Sequence, residues 1–398
     1  MLTNEQKLNS GLDMAFLVAC GLNDIIPNSM QLEKVDFETV YKQCERHKVQ
    51  AIAFIPLQSY LSENGALPES LSEALFKEWE KIYKNSVRRV FSFAIEREKL
   101  IRFMEQNGIW YMPMKGIVLQ EYYPKFGMRQ MVDNDILFDR SRRRDIRKYM
   151  VESGYDVCVY DFGVHDIYKK PPFFNFEMHA YLYRESVNDV FDRYYQNVFD
   201  MLVKDESNKY GYRFSPEDFY VHIITHIFKH YEHGGAGIKF LADVFVYLNA
   251  EEESLDFDYI SAELEKLDIS DFEKRVRALA KMLFSKECIN LREKMDSLTD
   301  EQKADIEFFL SSGAYGTQKR ALDEHYKRVV GSKEKTFMGK IKFLYCRLFP
   351  NMLYYKEYYG FAYKYKILIP FVWVYRTFKG IVFDTKRIIS EIKLLNKK

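Results

Sequence analysis

Apolar residues recur at helical spacing, every third or fourth position, along the first quarter of the chain. Residues 71–107 show the pattern most fully, among many Lys, Arg and Glu residues, and predict one long amphipathic helix. Residues 3–20 and 36–62 predict further helices; Thr3 is a typical start signal, and Pro56 predicts a break in the second stretch. We therefore expect an N-terminal helical region, used for packing or as one wall of a substrate pocket.

Shorter apolar runs bounded by turn residues come next, and these predict strands. Asn107-Gly108 is a helix stop, and Gly154 ends a further helix over residues 141–152, for which Ser141 is the expected N-cap. Together the strand-like runs predict a small mixed sheet. They lie near residues 109–114, 132–138, 155–160, 164–169 and 173–183.

The second half of the chain again predicts helices. Ser215-Pro216-Glu217-Asp218 combines an N-cap residue, a proline at the first position and acids in the first turn, so we expect helices over 216–231 and 239–250. The whole pattern predicts an α+β fold, a small mixed sheet flanked by N- and C-terminal helical regions. Four regions are expected: an N-terminal helical region (1–105), an α/β domain (106–185), a helical substrate-pocket domain (186–312) and a basic, aromatic helical tail (313–398).

The charge of the chain is nearly balanced, with 59 Lys and Arg against 58 Asp and Glu, so no overall basic character indicates a nucleic-acid partner. Residues 336–398 differ: they hold thirteen Lys and Arg against Glu357, Asp384 and Glu391, a local charge of +10 that leaves −9 for the rest. The apolar run 367–375 is too short to cross a bilayer, which takes about 20 residues. Such a tail can lie on an anionic membrane, hold a short RNA, or dock on the acidic remainder of the chain; the complementary charges favour the last.

Cysteine usage indicates a reducing compartment. The cysteines are odd in number and form no Cys-x-x-Cys pair, which is typical of free thiols in a cytosolic protein and not of a disulfide frame or a zinc knuckle. The polar N-terminus lacks the features of a signal peptide. We therefore expect a cytoplasmic protein, at most peripheral at the inner membrane face. The cysteines are Cys20, Cys44, Cys158, Cys288 and Cys346.

The most informative stretch is residues 111–139. Asp133 and Asp135 lie two positions apart in a predicted strand, so their side chains share one face while Asn134 points to the other. Two adjacent carboxylates repel each other unless a cation lies between them, and Mg²⁺ prefers such oxygen ligands. Glu177, in the last strand-like run, is the best candidate for a third acid.

The order of short motifs along the chain carries a resemblance to a known family. A Lys-Gly pair, a Tyr-Pro pair and an arginine precede Asp-x-Asp-hydrophobic-hydrophobic; Glu-x-His, a Ser-Pro-Glu-Asp helix start, a His-rich helix, Leu-Ala-Asp-Val and Phe-Pro follow. Over most of the chain this ordered set resembles the uncharacterised bacterial nucleotidyltransferase family within the DNA polymerase β-like nucleotidyltransferase superfamily. The matching positions are Lys115, Gly116, Tyr123, Pro124, Arg129, Asp133, Asp135, Glu177, His179, residues 215–218 and 222–230, Asp243 and residues 349–350.

The resemblance implies an enzyme that transfers NMP from an NTP to a hydroxyl acceptor and releases pyrophosphate. It implies Asp133 and Asp135 as the metal ligands that hold the NTP, and Glu177 as the third carboxylate, on the ion that activates the acceptor. Glu177 can also act as general base. Two Mg²⁺ ions about 3.5–4 Å apart would meet both demands of the reaction.

Lys115, Gly116 and Arg129 are the expected nucleotide-binding residues. Glycine lets a phosphate approach the backbone closely at the start of a helix, and Lys115 would supply a charge where the wider superfamily has the serine of a Gly-Ser pair. Arg129 can clamp a phosphate with two hydrogen bonds, or pair with a nearby acid.

Three histidines, His222, His226 and His230, fall at i, i+4 and i+8 and so line one helix face. They span about 12 Å, so a single metal ion reaches an adjacent pair at most. We expect His226 and His230 to line the acceptor pocket together with His179; a packed helix with satisfied imidazoles is the alternative. Asp243 would orient one of these rings, bind the acceptor, or be an ordinary buried acid with a partner.

Several functions stay open at this point. The acceptor can be a sugar, another small molecule, a protein or an RNA end. Alternatives are a non-catalytic nucleotide-binding or assembly module of a surface-polysaccharide system, and a toxin-like nucleotidyltransferase that acts on tRNA. The intact acids favour an enzyme, because a silent fold has no need of clustered carboxylates.

Overall fold

A computed structural model describes the chain in six segments, and it confirms the predicted α+β fold. Cys288, Asp384, Lys397 and Lys398, which entered the predictions above, lie outside the described residues. The described segments are 3–184, 188–286, 291–314, 316–332, 334–383 and 385–396.

Helices form the first part of the chain, as predicted. Thr3 caps the first helix by accepting from the Gln6 N–H, and the Gln6 side chain accepts from the Thr3 N–H in return. Pro56 does not break its helix. The Ile52 carbonyl, which proline cannot bond, instead faces Gly21, where an added Cβ would lie 2.5 Å from that oxygen. The helices are α1 (Asn4–Asn23), α2 (Ser29–Leu32), α3 (Phe37–His47), α4 (Gln50–Asn64) and α5 (Glu73–Gln106).

A five-stranded mixed sheet follows, with a strand in each of the five predicted runs. Its order is β1-β2-β5-β4-β3; β2 and β5 run parallel, and the other neighbours run antiparallel. Ser141 is not an N-cap, because residues 140–142 form a 3₁₀ turn in which Asp139 accepts from the Ser141 N–H. The α-helix begins directly after this turn, at Arg143. The elements are β1 (Tyr111–Pro113), α6 (Gly116–Leu119), β2 (Asn134–Phe138), α7 (Arg143–Glu152), β3 (Asp156–Val159), β4 (His165–Lys170) and β5 (Phe174–His179).

The two faces of the sheet pack into different cores. On one face Ile136 and Phe138 pack with residues of α5 and α7, and Arg97 of α5 donates to the Asn134 side chain at 2.9 Å. On the other face Leu137 joins the large core of the flanking helices. Because side chains alternate along β2, Asp135 shares the face of Leu137, toward those helices.

Helices after the sheet complete that large core. Ser215 caps the longest of them by accepting from the Asp218 N–H, with Pro216 at the first position, as predicted. A two-stranded ribbon, β6 (Val203–Lys204) and β7 (Tyr212–Arg213), precedes it. The helices are α8 (Asp189–Tyr194), α9 (Pro216–Glu232), α10 (Ile238–Glu251), α11 (Phe257–Lys266), α12 (Ser270–Phe284), α13 (Leu291–Lys294) and α14 (Asp300–Ser312).

The C-terminal tail is helical and has small cores of its own. One contains Leu322, Tyr326 and Phe343, and another contains Tyr355 and Val372. Within the described segments, no helix is both long enough and apolar enough to cross a membrane. The helices are α15 (Gln318–Val330), α16 (Phe337–Leu348), α17 (Met352–Tyr358), α18 (Gly360–Lys364), α19 (Ile369–Phe383) and α20 (Thr385–Asn396).

Candidate active site

Parallel pairing of β2 and β5 brings together acids that are far apart in the sequence. Asp135 of β2 is the direct partner of Glu177 of β5, and Leu137 is the partner of His179 two residues further on. Directly opposed residues of a sheet point to the same face. Asp133 immediately precedes β2, and its carboxylate interacts electrostatically with both of the other acids. The three predicted acids thus share one side of the sheet.

Asp135 is the best-partnered acid of the three. Lys115 Nζ donates to Asp135 Oδ1 at 2.7 Å, and His179 Nε2 lies 2.8 Å from the same oxygen. Burial by itself would raise the pKa of Asp135, but the Lys115 ammonium and the His179 hydrogen bond outweigh it and hold that pKa well below its usual range. Asp135 is therefore a permanent anion at neutral pH.

Asp133 and Glu177 carry charge that this arrangement leaves poorly compensated. Burial, followed by repulsion from Asp135, raises the pKa of Asp133 to about 6 and the pKa of Glu177 to about 7. Glu177 Oε2 lies 3.6 Å from His165 Nε2 and 4.0 Å from His179 Nε2. Burial lowers the pKa of these imidazoles to about 3 and about 4 respectively, so both rings are neutral and add no compensating charge.

Lys115 lies on an unusual turn at the edge of the site. Its φ of 48° is in the left-handed region, which non-glycine residues seldom adopt. The helix that follows, α6, is a single turn. An added Cβ on Gly116 would lie 2.3 Å from Arg129 Nη1, so glycine is required here by the arginine that packs over it. Whether Lys115 and Gly116 also contact a phosphate stays a prediction.

Arg129 forms an ion pair with Asp243, which is one of the two roles expected for it. Its Nε and Nη2 atoms donate to the two carboxylate oxygens of Asp243 at 2.8 and 2.9 Å, and the Tyr123 hydroxyl donates to Asp243 Oδ1 at 2.8 Å. The exposed fractions of the two charged side chains are 9% and 3%. Asp243 is thus a buried acid with two partners, and it holds Arg129 over Gly116. Binding of a phosphate by Arg129, or of an acceptor by Asp243, stays a prediction.

The histidine face of α9 closes the site from the helical side. His222 is buried and neither of its ring nitrogens has a hydrogen-bond partner, while His226 Nε2 and His230 Nε2 lie 3.3 Å apart. Burial lowers the pKa of all three. Between this face, Lys115 and Asp243 lies a cavity of about 20 Å³, which holds about one water molecule. The predicted roles of His226 and His230 in an acceptor pocket stay open.

Three residues of the site were missed in the sequence. His165 on β4 is the antiparallel partner of His179, so it lies beside Glu177. Lys229 on α9 and Lys239 on α10 interact with the acids, and burial lowers the pKa of each to about 8. Lys229 follows His226 by three positions, a helical spacing that could have placed it on the same face. Nothing in the sequence distinguishes Lys239 from other helical lysines.

Comparison with known proteins shows the family of the chain. A protein-family model described as "Uncharacterised nucleotidyltransferase" matches residues 33–285, well over half of the chain and every site residue named above. The chain belongs to this family. No curated protein and no solved structure matches the chain.

Membership makes the protein a nucleotidyltransferase, that is, a transferase whose substrate is an NTP. Nucleotidyltransferases usually also require divalent metals, and the donor set of this nucleotidyltransferase fits such ions. Carboxylate oxygens are the ligands that hard divalent cations prefer, and repulsion from Asp135 adds to burial in raising the pKa values of Asp133 and Glu177. Ligand atoms of His165, Glu177 and His179 lie within 4.8 Å of one another.

Proposed function

We propose that this nucleotidyltransferase transfers NMP from an NTP to a hydroxyl acceptor in a Mg²⁺-dependent reaction, with Asp133, Asp135 and Glu177 as the metal ligands. The observation that carries the proposal is the direct pairing of Asp135 with Glu177 across the two parallel strands. It places acids 42 positions apart in the sequence side by side, next to Lys115. A placement of the chain in the polymerase β-like superfamily rests on the same acids and is part of this proposal.

The carboxylates act as the holders of two Mg²⁺ ions. When bound, these ions would stabilise charge on the phosphate and lower the pKa of the attacking hydroxyl. Asp133 and Asp135 hold the ion that accompanies the NTP, and Glu177 holds the ion on the acceptor side. Glu177 can also act as the general base that receives the proton of the acceptor hydroxyl.

Buried ammonium groups around the acids provide the contacts to the triphosphate. Each of three lysines interacts electrostatically with at least two of the three carboxylates; these are Lys115, Lys229 and Lys239. A buried cation is costly unless an anion compensates for it, and Lys239 Nζ has a neutral partner, the Gln130 carbonyl, at 3.2 Å. A bound triphosphate would supply that compensation, with Arg129 and Gly116 shaping the turn that carries Lys115.

The acceptor approaches from the histidine face of α9. His226 and His230 are neutral rings with donors and acceptors to offer, and His179 fixes Asp135 from the strand side. The acceptor is a sugar, another small molecule, a protein or an RNA end. Because its nucleotide substrate is an intracellular metabolite, we propose that the enzyme works in the cytoplasm.

Turnover of labelled nucleotides tests the proposal. The purified chain is incubated with Mg²⁺ and each of the four NTPs, labelled at the α-phosphate, together with pooled sugars, small molecules, proteins and RNA. We expect label to move to one acceptor class. Asp135→Asn should lower the rate at least about 100-fold, because the loss of a metal ligand raises the activation barrier by several kcal/mol. Asp156→Asn, which changes an exposed strand acid of the same sheet, should leave it unchanged.

The same assay separates the alternatives. Mg²⁺-dependent NTP binding with no labelled product from any pool would favour the non-catalytic nucleotide-binding or assembly module. Label found in tRNA alone would favour the toxin-like transferase. Equal NTP binding and equal product formation by the wild type and Asp135→Asn would refute the assignment of the acids.

A further inference from the structure

One helix of the C-terminal tail turns its apolar side outward. In α19 the side chains of Phe371, Val374, Tyr375, Phe378 and Val382 are 71, 70, 54, 64 and 53% exposed. These positions follow the spacing i, i+3, i+4, i+7 and i+11, so they form a single stripe along the helix. A water-facing helix normally presents polar residues there, and an apolar patch of this kind marks an interaction surface.

The orientation of α19 is fixed by contacts on its other side. Val372 is buried in the small core with Tyr355, and the Trp373 indole N–H donates to the Tyr355 hydroxyl. Arg376 points inward and donates to the backbone carbonyls of Arg347 and Leu348. The exposed stripe is therefore the side that remains after the helix has packed, and rotation of α19 would break these contacts.

A neighbouring helix, α16, which packs on the other side of α19, also exposes apolar side chains. In α16 the side chains of Phe337, Met338, Ile341 and Tyr345 are 77, 71, 46 and 61% exposed. Between α16, α19 and α20 lies an open groove of about 590 Å³, lined mainly by apolar side chains such as Leu344, Leu348, Ile388 and Ile392.

Cations surround this surface, while acids are scarce. Lys364, Lys366 and Lys379 are exposed at the start and along the edge of α19. Glu391, one of three acids among residues 336–398, is buried and paired with Arg347. These three lysines thus place positive charge in solvent next to the apolar stripe. Arg347 pairs with an acid of the tail itself and not with the acidic remainder of the chain.

We propose that the exposed apolar stripe of α19, together with the lysines beside it, is a docking surface for an anionic lipid bilayer. The aromatic and aliphatic stripe would enter the boundary between headgroups and acyl chains, and the lysines would contact lipid phosphates. With 15 residues, α19 is about 22 Å long, less than the hydrocarbon thickness of about 30 Å, so it lies in the plane of the membrane.

Charge argues against one other occupant of this face, and the apolar stripe argues against another. A second copy of the chain would place like charges opposite each other, because a two-fold interface pairs each patch with itself. An RNA would contact the lysines, but its backbone would leave the apolar stripe between them without a partner. A bilayer surface offers anions and hydrocarbon together.

Vesicle sedimentation tests the proposal. The full chain is mixed with vesicles of phosphatidylcholine alone, or of phosphatidylcholine with phosphatidylglycerol. We expect binding to the anionic vesicles only, and release by high salt. Lys364→Gln/Lys366→Gln should weaken the partition coefficient roughly 25-fold, about fivefold for each charge. Phe371→Ser/Phe378→Ser should abolish binding.

Matched controls guard against general effects. Phe91→Ser removes an exposed phenylalanine of α5 that is 61% accessible, and Lys148→Gln removes an exposed lysine of α7; both should bind vesicles as the wild type does. All of these changes are at exposed positions, so unchanged circular dichroism is expected. The proposal is overturned if anionic vesicles are not bound, if the tail variants bind as well as the controls, or if the stripe instead mediates self-association or RNA binding. Transfer to a water-soluble acceptor should not change in any of these variants.

Discussion

The buried pair Arg129–Asp243 offers the most direct test of how the site is supported. Asp243→Asn keeps the shape of the side chain and an oxygen for the Tyr123 hydroxyl, but it removes the charge that compensates the guanidinium. Arg129 would then be a buried cation with neutral groups on one side and Asp133 as its remaining acidic neighbour. We expect this variant to be strongly destabilised.

The magnitude follows from the geometry. Both hydrogen bonds are short, and the two side chains are 9% and 3% exposed. Removal of one partner from a buried pair of this kind costs about 3–5 kcal/mol. The attraction of Asp133 offsets part of the loss, so the lower end, about 3 kcal/mol, is expected. That is a large share of the roughly 5–15 kcal/mol by which proteins are usually stable.

Urea unfolding, followed by circular dichroism, measures the effect. The double variant Arg129→Met/Asp243→Asn contains no stranded charge and should recover at least half of the loss. A cost below about 1 kcal/mol for Asp243→Asn, or a double variant as unstable as the sum of the single ones, would refute this reasoning. NTP affinity gives a second readout: the double variant keeps it if Arg129 only supports the fold, and loses about tenfold or more if Arg129 also clamps a phosphate.

Further predictions concern single residues. Gly116→Ala should lower the free energy of unfolding by about 1–3 kcal/mol, because the added methyl group displaces Arg129; urea unfolding measures this. His165→Ala should weaken Ni²⁺ binding in calorimetric titration more than Mg²⁺ binding, since Ni²⁺ accepts imidazole ligands and Mg²⁺ prefers oxygen. Lys229→Met should weaken NTP binding about tenfold or more in equilibrium dialysis, and wild-type affinity should fall as pH rises through about 8, where the ammonium loses its proton. His47 is neutral when folded, because burial lowers its pKa from 6.5 to about 4; since the unfolded chain binds the extra proton, its stabilising contribution is complete above pH 6.5 and falls by about 2 kcal/mol by pH 5. Urea unfolding of the wild type and of His47→Gln, above pH 6.5 and at pH 5, should show that the variant lacks this part of the pH dependence of stability.

The strands and the acids were predictable from the sequence because their signals are local. Short apolar runs between turn residues predicted five strands, and the spacing of Asp133 and Asp135 predicted a shared face whatever the partner strand. The prediction of Ser141 as an N-cap was wrong, and the reason is also local. The Ser141 N–H donates to Asp139, so the chain makes a 3₁₀ turn before the helix starts. The prediction of a helix break at Pro56 was wrong for a tertiary reason, because Gly21 of α1 packs against the Ile52 carbonyl that Pro56 leaves unbonded.

The rest of the site depends on which strands are neighbours, and no local pattern contains that information. His165 lies beside Glu177 only because β4 pairs with β5 in the register that opposes His165 to His179. Lys239 enters only because α10 packs behind the Lys115 turn. Likewise, the sequence allowed Arg129 to bind either a phosphate or an acid. Its pairing with Asp243 depends on the position of α10 beside the segment that carries Arg129.

The charges of the site explain why nucleotide and metal would bind together. Three carboxylates and three ammonium groups, those of Lys115, Lys229 and Lys239, lie within electrostatic reach of one another; Asp135 is buried and the other five residues are half-buried. An NTP alone would add several negative charges to the acids, and Mg²⁺ alone would add positive charge beside the lysines. Bound together they leave the net charge of the site nearly unchanged, so each favours the binding of the other. Burial raises the pKa values of Asp133 and Glu177 and lowers those of Lys229 and Lys239, so it favours the neutral form of each group. An NTP bound together with Mg²⁺ would favour the charged forms of both sets.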